Sequence, residues 1–304
     1  MIQIIGAGAI GCLWLAKLLQ AGQPCHIVSR AGDPQTKLSF TDLTGTLHLL
    51  AISHSHQLLH TNKVEQSSII LVCVKAQHVL NALLTQQEFI NNEQTIILMH
   101  NGYGCAEEVA KHFPDNLLIC ATTSNASLLN APLNISHTGI GPTYFGAFNA
   151  VNKSTLQSLP ALIVPFKQCM QDVHWSEAIL EKYWLKLAIN AVINPLTAVN
   201  QIKNGQLGEQ KYEGIIERLI LEVFDIAKAE KINVALDSLK ETIPLVITAT
   251  AENYSSMNRD LYYQRESEIE FINGYLIRQA QYHKINVPTL TEYYQKIKSL
   301  ESSY

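Results

Sequence analysis

Lys186, Asn190 and Asn194 interrupt an otherwise apolar run in "EKYWLKLAINAVINPLTAVNQ", residues 181–201. The residue types favour helix, and no Gly or Pro intervenes before Pro195. At about 100° per residue, side chains four apart stay on one side of a helix, so the three form a row. A helix that is apolar nearly all round is a buried one. An ammonium and two amides are costly there unless they find partners. Two readings follow. The lysine reaches solvent past its own apolar stem while the amides cap nearby backbone, or the row borders a polar cavity that holds a ligand.

The chain opens with the other group able to do chemistry. "MIQIIGAGAIGCLWLAKLLQAG" reads as a strand, a turn through Gly6, Ala7, Gly8, Ala9, Ile10 and Gly11, and a helix closed at Gly22. In that setting G-x-G-x-x-G is the dinucleotide fingerprint. Its glycines allow the turn and the approach of a pyrophosphate, and the helix N-terminus supplies N–H donors. The second strand, "CHIVSR", ends at Arg30. An arginine there suits the 2′-phosphate of NADP, although Asp33 could serve the ribose hydroxyl of NAD. Further apolar runs end at Lys75, at Asn101 before Gly102-Tyr103-Gly104, and at Thr122-Thr123-Ser124-Asn125. Such runs suit parallel strands covered on both faces, whose carboxyl ends bind ligands. Between them, "FTDLTGTLHLLAISHSHQL" reads as a hairpin-like excursion turning at Thr44-Gly45. His54, His56 and His60 lack companion ligands at metal spacing, and no metal site is expected.

These elements imply an α/β architecture: a Rossmann-type NADP-binding domain over 1–174, then an all-helical domain over 175–304. "HTGIGPTYFGAF" suits turns between strands, "STLQSLPALI" a short helix and "QDVHWS" a last strand. Helical patterns then cover 177–200, 209–231, 237–255 and 266–283. Asn253 and Ser256, three apart, would share a helix face. Ser267 and Glu270 form a plausible capping box, which places Glu268 in a first helical turn favoured by the dipole. A net charge of −4 gives no basic character of the kind that binds nucleic acid. The six cysteines lack C-x-x-C spacing and read as free thiols of a reducing compartment. No apolar run reaches membrane-spanning length and a strand begins at residue 2, so the cytoplasm is the expected location.

Taken together, the residues resemble the ketopantoate reductase (2-dehydropantoate 2-reductase) family over essentially the whole chain. The resemblance rests on the glycine turn, "VKAQ" at Lys75, "HNGYG" at Asn101, "KLAINAVINPLTA" from Lys186, "NGQL" at Asn204, "ENYSSM" at Asn253 and "SEIEFINGYL" at Glu268. It implies NADPH-dependent reduction of 2-dehydropantoate to (R)-pantoate on the way to pantothenate and coenzyme A. It makes Lys186 the proton donor and places substrate on Asn190, Asn194, Asn204, Asn253 and Ser256. Asn101 would meet both cofactor and substrate. Residues 6–11, Arg30, Lys75, Ala126 and Glu268 would contact NADP(H), and no metal is implied. Hydride arriving at a ketone carbon leaves negative charge on its oxygen, which an ammonium stabilises and protonates. A lysine of ordinary pKa, ~10.4, needs no large shift for that role. The expected partner is a small-molecule substrate, not nucleic acid or membrane, for a monomer or homodimer. The alternatives are a reductase of another branched 2-oxo acid and a non-catalytic NADP-sensing protein.

Overall fold

A computed structural model describes residues 1–30, 35–59, 69–149 and 159–304. The chain forms two compact units. One comprises Met1–His100 with Cys105–Ile179, the other Asn101–Gly104 with Leu180–Tyr304.

The first unit is built on short, fully buried strands. β1 (Ile2–Ile5), β2 (Cys25–Val28), β6 (Ile69–Val72) and β7 (Thr95–Leu98) have no exposed residue, as expected of parallel strands covered on both faces. With β5 (Ser53–Ser55), β8 (Leu118–Thr123), β11 (Thr143–Ala147) and β12 (Val173–Trp175) they make one sheet ordered β12-β11-β8-β7-β6-β1-β2-β5. From β5 to β8 all pairings are parallel, whereas β11 joins β8 antiparallel. The chain leaves β1 toward β2 on one side and later returns to β6 on the other. That reversal is the switch point at which doubly wound sheets bind ligands. A second sheet, ordered β4-β3-β10-β9, combines β3 (Lys37–Thr41), β4 (Leu47–Ala51), β9 (Ala126–Ala131) and β10 (Asn134–Gly139). The expected hairpin is its antiparallel β3–β4 pair, turned at Gly45 with φ +85°. Helix α1 (Ala9–Gln20) carries the core's centre, Trp14, which meets Phe145 and Phe166 edge-on and donates to Met99 Sδ. Helices α2 (Val79–Leu84), α3 (Cys105–His112) and α4 (Val164–Cys169) complete the unit's described helices. Of the expected helix in "STLQSLPALI", residues 154–158 lie outside the described residues, and Leu159–Ile163 form a 3-10 turn.

The second unit is helical: α5 (Ile179–Asn200), α6 (Gln210–Ala229), α7 (Leu236–Ala249), α8 (Ser256–Tyr262), α9 (Asn273–His283) and α10 (Pro288–Glu301). Its core includes Leu219, Ile226, Leu239, Ile243, Leu276, Leu290 and Ile297, all sealed from solvent. Both carboxylate oxygens of Glu222 accept from the first N–H groups of α10, at Thr289 and Leu290, so one acid satisfies a buried helix start.

Two sequence expectations fail here. The helix foreseen over 237–255 stops at Ala249. Asn253 lies in the connection before α8, so it and Ser256 do not share a helix face. Ser255 is the cap, its Oγ accepting from the Asn258 N–H. Likewise, Ser267 and Glu270 form no capping box. The Ser267 hydroxyl donates to Glu301, Glu270 binds Arg278 and the Tyr294 hydroxyl, and α9 starts only at Asn273 after a 3-10 turn over Ile269–Phe271. All six cysteines are free thiols, five of them buried.

Candidate functional site

The glycine turn sits at the switch point of the large sheet. Gly6 has φ +111°, and a Cβ there would fall 2.7 Å from the carbonyl oxygen of Cys73, just past β6. A Cβ on Gly11 would meet the Gly6 carbonyl at 2.0 Å, so strand and helix touch backbone to backbone. At Gly8 the nearest atom would be 4.0 Å away. The chain is therefore tight where the turn needs it and open where a phosphate would approach, so these residues fit a dinucleotide. Lys75 caps a 3-10 turn, Ala76–His78, beyond the end of β6. Ala126 begins β9, after the buried Asn125, which donates to the Gly141 carbonyl.

Arg30 is exposed and directly follows Ser29 at the end of β2. His54 and His56 brace that end. His54 Nδ1 accepts from the Gln35 N–H (2.9 Å), so its Nε2 carries the proton and donates to the Ser29 hydroxyl (2.9 Å). His56 Nδ1 donates to the Ser29 carbonyl at 2.8 Å. Burial, with help from His56 and His26, pushes the His54 pKa down. These two histidines thus hold the strand beside Arg30. His60 and Asp33 lie outside the described residues.

In the helical unit the structure brings three of the expected residues together. The Asn101 Nδ2 donates to Glu268 Oε2 at 2.9 Å. Glu268 is buried, and its charge opposes the burial that lowers the pKa of Lys186. Burial wins: the half-buried Lys186 is pushed down to about 8, a shift that the acid role does not require. Glu268 is corrected too. It does not occupy the first turn of a long helix but precedes a 3-10 turn, with its carboxylate on Asn101.

The loop that carries Asn101 follows a strand of the first unit, yet Asn101–Gly104 belongs to the second. Gly102, at φ +82°, would place a Cβ 2.7 Å from Phe271, so only glycine passes there. The Tyr103 N–H donates to the Phe271 carbonyl at 2.8 Å. Its ring packs on Tyr275, Trp184 and Tyr183 at centroid distances of 4.8, 5.9 and 6.3 Å. Tyr183 and Trp184 precede Lys186 by three and two residues on α5, so one aromatic cluster anchors both the loop and the lysine's helix.

Asn190 and Asn194 continue the row on α5, half-buried and buried respectively. Asn204 is buried. Its Nδ2 donates to Thr250 Oγ1 at 2.9 Å, its N–H donates to the Asn253 carbonyl, and its Oδ1 has no partner within the protein. Asn253 and Ser256 are exposed. Ser256 is tied to α5 through neighbours: the Ser255 and Thr197 hydroxyls lie 2.7 Å apart, and Asn258 Nδ2 donates to the Thr197 carbonyl at 2.8 Å. Sequence reasoning missed Tyr103, Asn258 and Asn273 as supports. No helix of the described residues is long and apolar enough to cross a membrane.

Residues 2–150 match the family described as Ketopantoate reductase PanE/ApbA, and residues 178–301 match Ketopantoate reductase PanE/ApbA C terminal. A 2-dehydropantoate 2-reductase of Vibrio cholerae serotype O1 is 35% identical over 100% of this chain and 98% of its own. One of Yersinia pestis is 33% identical over 100% and 96%. Among solved structures, D-mandelate dehydrogenase with NADH and anilino(oxo)acetate superposes with a TM-score of 0.87 at 18% identity, covering 100% of this chain and 99% of that one. At that identity the likeness speaks to the fold.

The geometry predicts that Lys186 titrates near 8, visible by NMR of isotope-labelled lysine side chains. Glu268→Gln removes the anion that favours the ammonium, so the midpoint should move lower still. A midpoint near 10.4, the usual lysine value, or an upward move in the variant, contradicts this electrostatic picture.

Proposed function

Because the chain belongs to the ketopantoate reductase family, we propose that it reduces 2-dehydropantoate to (R)-pantoate with NADPH, Lys186 giving the proton. The chain is an oxidoreductase of the 2-dehydropantoate 2-reductase kind, using a nicotinamide dinucleotide and a small-molecule substrate. What supports the specific reading is the half-buried Lys186, held on an apolar helix with a buried carboxylate acting on it.

When bound, the reduced nicotinamide supplies hydride to the ketone carbon. The chain's residues do the rest. N–H groups at the start of α1 hold the pyrophosphate, and Arg30 takes the 2′-phosphate. Lys75, Ala126 and Glu268 add cofactor contacts, and Asn101 serves cofactor and substrate alike. Asn190, Asn194, Asn204, Asn253 and Ser256 bind the substrate's carboxylate and hydroxyl groups without adding charge. Lys186 stabilises the developing alkoxide and transfers a proton from Nζ to it. A lysine shifted to about 8 is a stronger acid than an ordinary one and is still mostly protonated at neutral pH. The reaction would serve pantothenate and coenzyme A synthesis in the cytoplasm, in a monomer or homodimer. A pure cofactor sensor would have no use for Lys186.

Two measurements check this reading. Arg30→Ala should weaken NADPH binding by about 1.5–3 kcal/mol while leaving NADH nearly untouched. Equal loss for both cofactors, read by calorimetry, would give Arg30 another role. The second measurement follows loss of NADPH absorbance with 2-dehydropantoate and with 2-oxo-3,3-dimethylbutanoate, which lacks the terminal hydroxyl. A site with amides placed for that hydroxyl leaves them unpaired on the analogue, so kcat/KM should fall by at least ~2–3 kcal/mol. Equal rates would favour a reductase of other branched 2-oxo acids.

A further inference from the structure

Pro195 lies inside α5. Proline has no N–H, so the carbonyl four residues back, that of Ala191, loses its intrahelical donor and is pushed outward by the ring. A buried carbonyl left so is costly. Asn273, fully sealed from solvent at the start of α9, supplies the missing donor. Its Nδ2 reaches the Ala191 oxygen at 3.2 Å.

The place of this broken rung matters. Asn190 directly precedes Ala191, and Asn194 directly precedes Pro195. The two amides of the polar row therefore stand at the two ends of the defect. Their spacing depends on how the freed carbonyl is held. Lys186 sits upstream, where the ladder is unbroken by proline and the aromatic cluster of Tyr183 and Trp184 packs.

We propose that Asn273 is a positioning residue for substrate recognition: by holding the carbonyl that Pro195 releases, it sets Asn190 and Asn194 at the separation the 2-oxo acid requires. This rests on the proposed reduction. The role separates binding from proton transfer. Loss of Asn273 should affect the amides on either side of the rung more than the lysine above it.

The test uses Asn273→Ala, and Asn273→Ala with Pro195→Ala. The second change returns an N–H to position 195, which can bond the Ala191 carbonyl within the helix. Asn273→Ala should raise KM for 2-dehydropantoate about tenfold, with kcat within about threefold and its pH dependence unmoved. Adding Pro195→Ala should recover most of the KM loss. Hydrogen exchange over residues 187–200 should rise in the single variant and fall again in the double. If Asn273→Ala is too unstable to assay, the double variant and Asn273→Ser, which keeps a shorter donor, carry the comparison. An unmoved KM, a loss confined to kcat, or no recovery in the double variant overturns the proposal. Altered exchange with unaltered KM would reduce Asn273 to a support of the fold. If the wild-type protein bound no 2-oxo acid in calorimetry, the proposed reduction itself would fail, and the exchange data would still report the bond separately.

Discussion

The structure depends on keeping one ammonium ion in a place where ammonium ions are expensive. Lys186 emerges from a helix whose neighbours on both sides, Trp184, Leu187 and Ala188, are buried, and burial weakens its hold on the proton. The counterweight is Glu268, itself buried and held by Asn101. The balance leaves a lysine that is both charged near neutrality and acidic enough to give up its proton.

This electrostatic requirement explains much of the surrounding architecture. Asn101 follows a strand of the sheet unit, but its loop is fastened to the helical unit by the Tyr103 backbone and ring and by the fit of Gly102 against Phe271. The groups acting on the carboxylate and the lysine thus share one unit of the fold. The glycine turn belongs to the other unit, where backbone contact at Gly6 and Gly11 and the open space at Gly8 fit a phosphate.

Much of this was legible in the sequence. The strand–turn–helix at Gly6 and the apolar helix with its polar row are local patterns, and local patterns survive folding unchanged. The placement of Glu268 in a helical turn was misread because a capping box and a dipole offered a local reason, whereas its carboxylate accepts from Asn101, 167 residues away. The shared face of Asn253 and Ser256 failed because Ser255 caps a new helix just there. Asn273 carried no signal of its own. Pro195 did: a proline within a buried helix announces that some donor must reach Ala191, although not which one. The depressed lysine pKa was out of reach for a related reason, since burial is a property of the packed chain.

The measurement that tests the account most directly is single-turnover reduction by Lys186→Ala, alongside its cofactor affinity and thermal midpoint. If the lysine is the acid, the rate of the chemical step falls by about 10²–10⁴, while NADPH binding and the melt stay close to wild type. A variant that reduces 2-dehydropantoate at nearly the wild-type rate would contradict the account, and one that loses its fold would return Lys186 to a structural part.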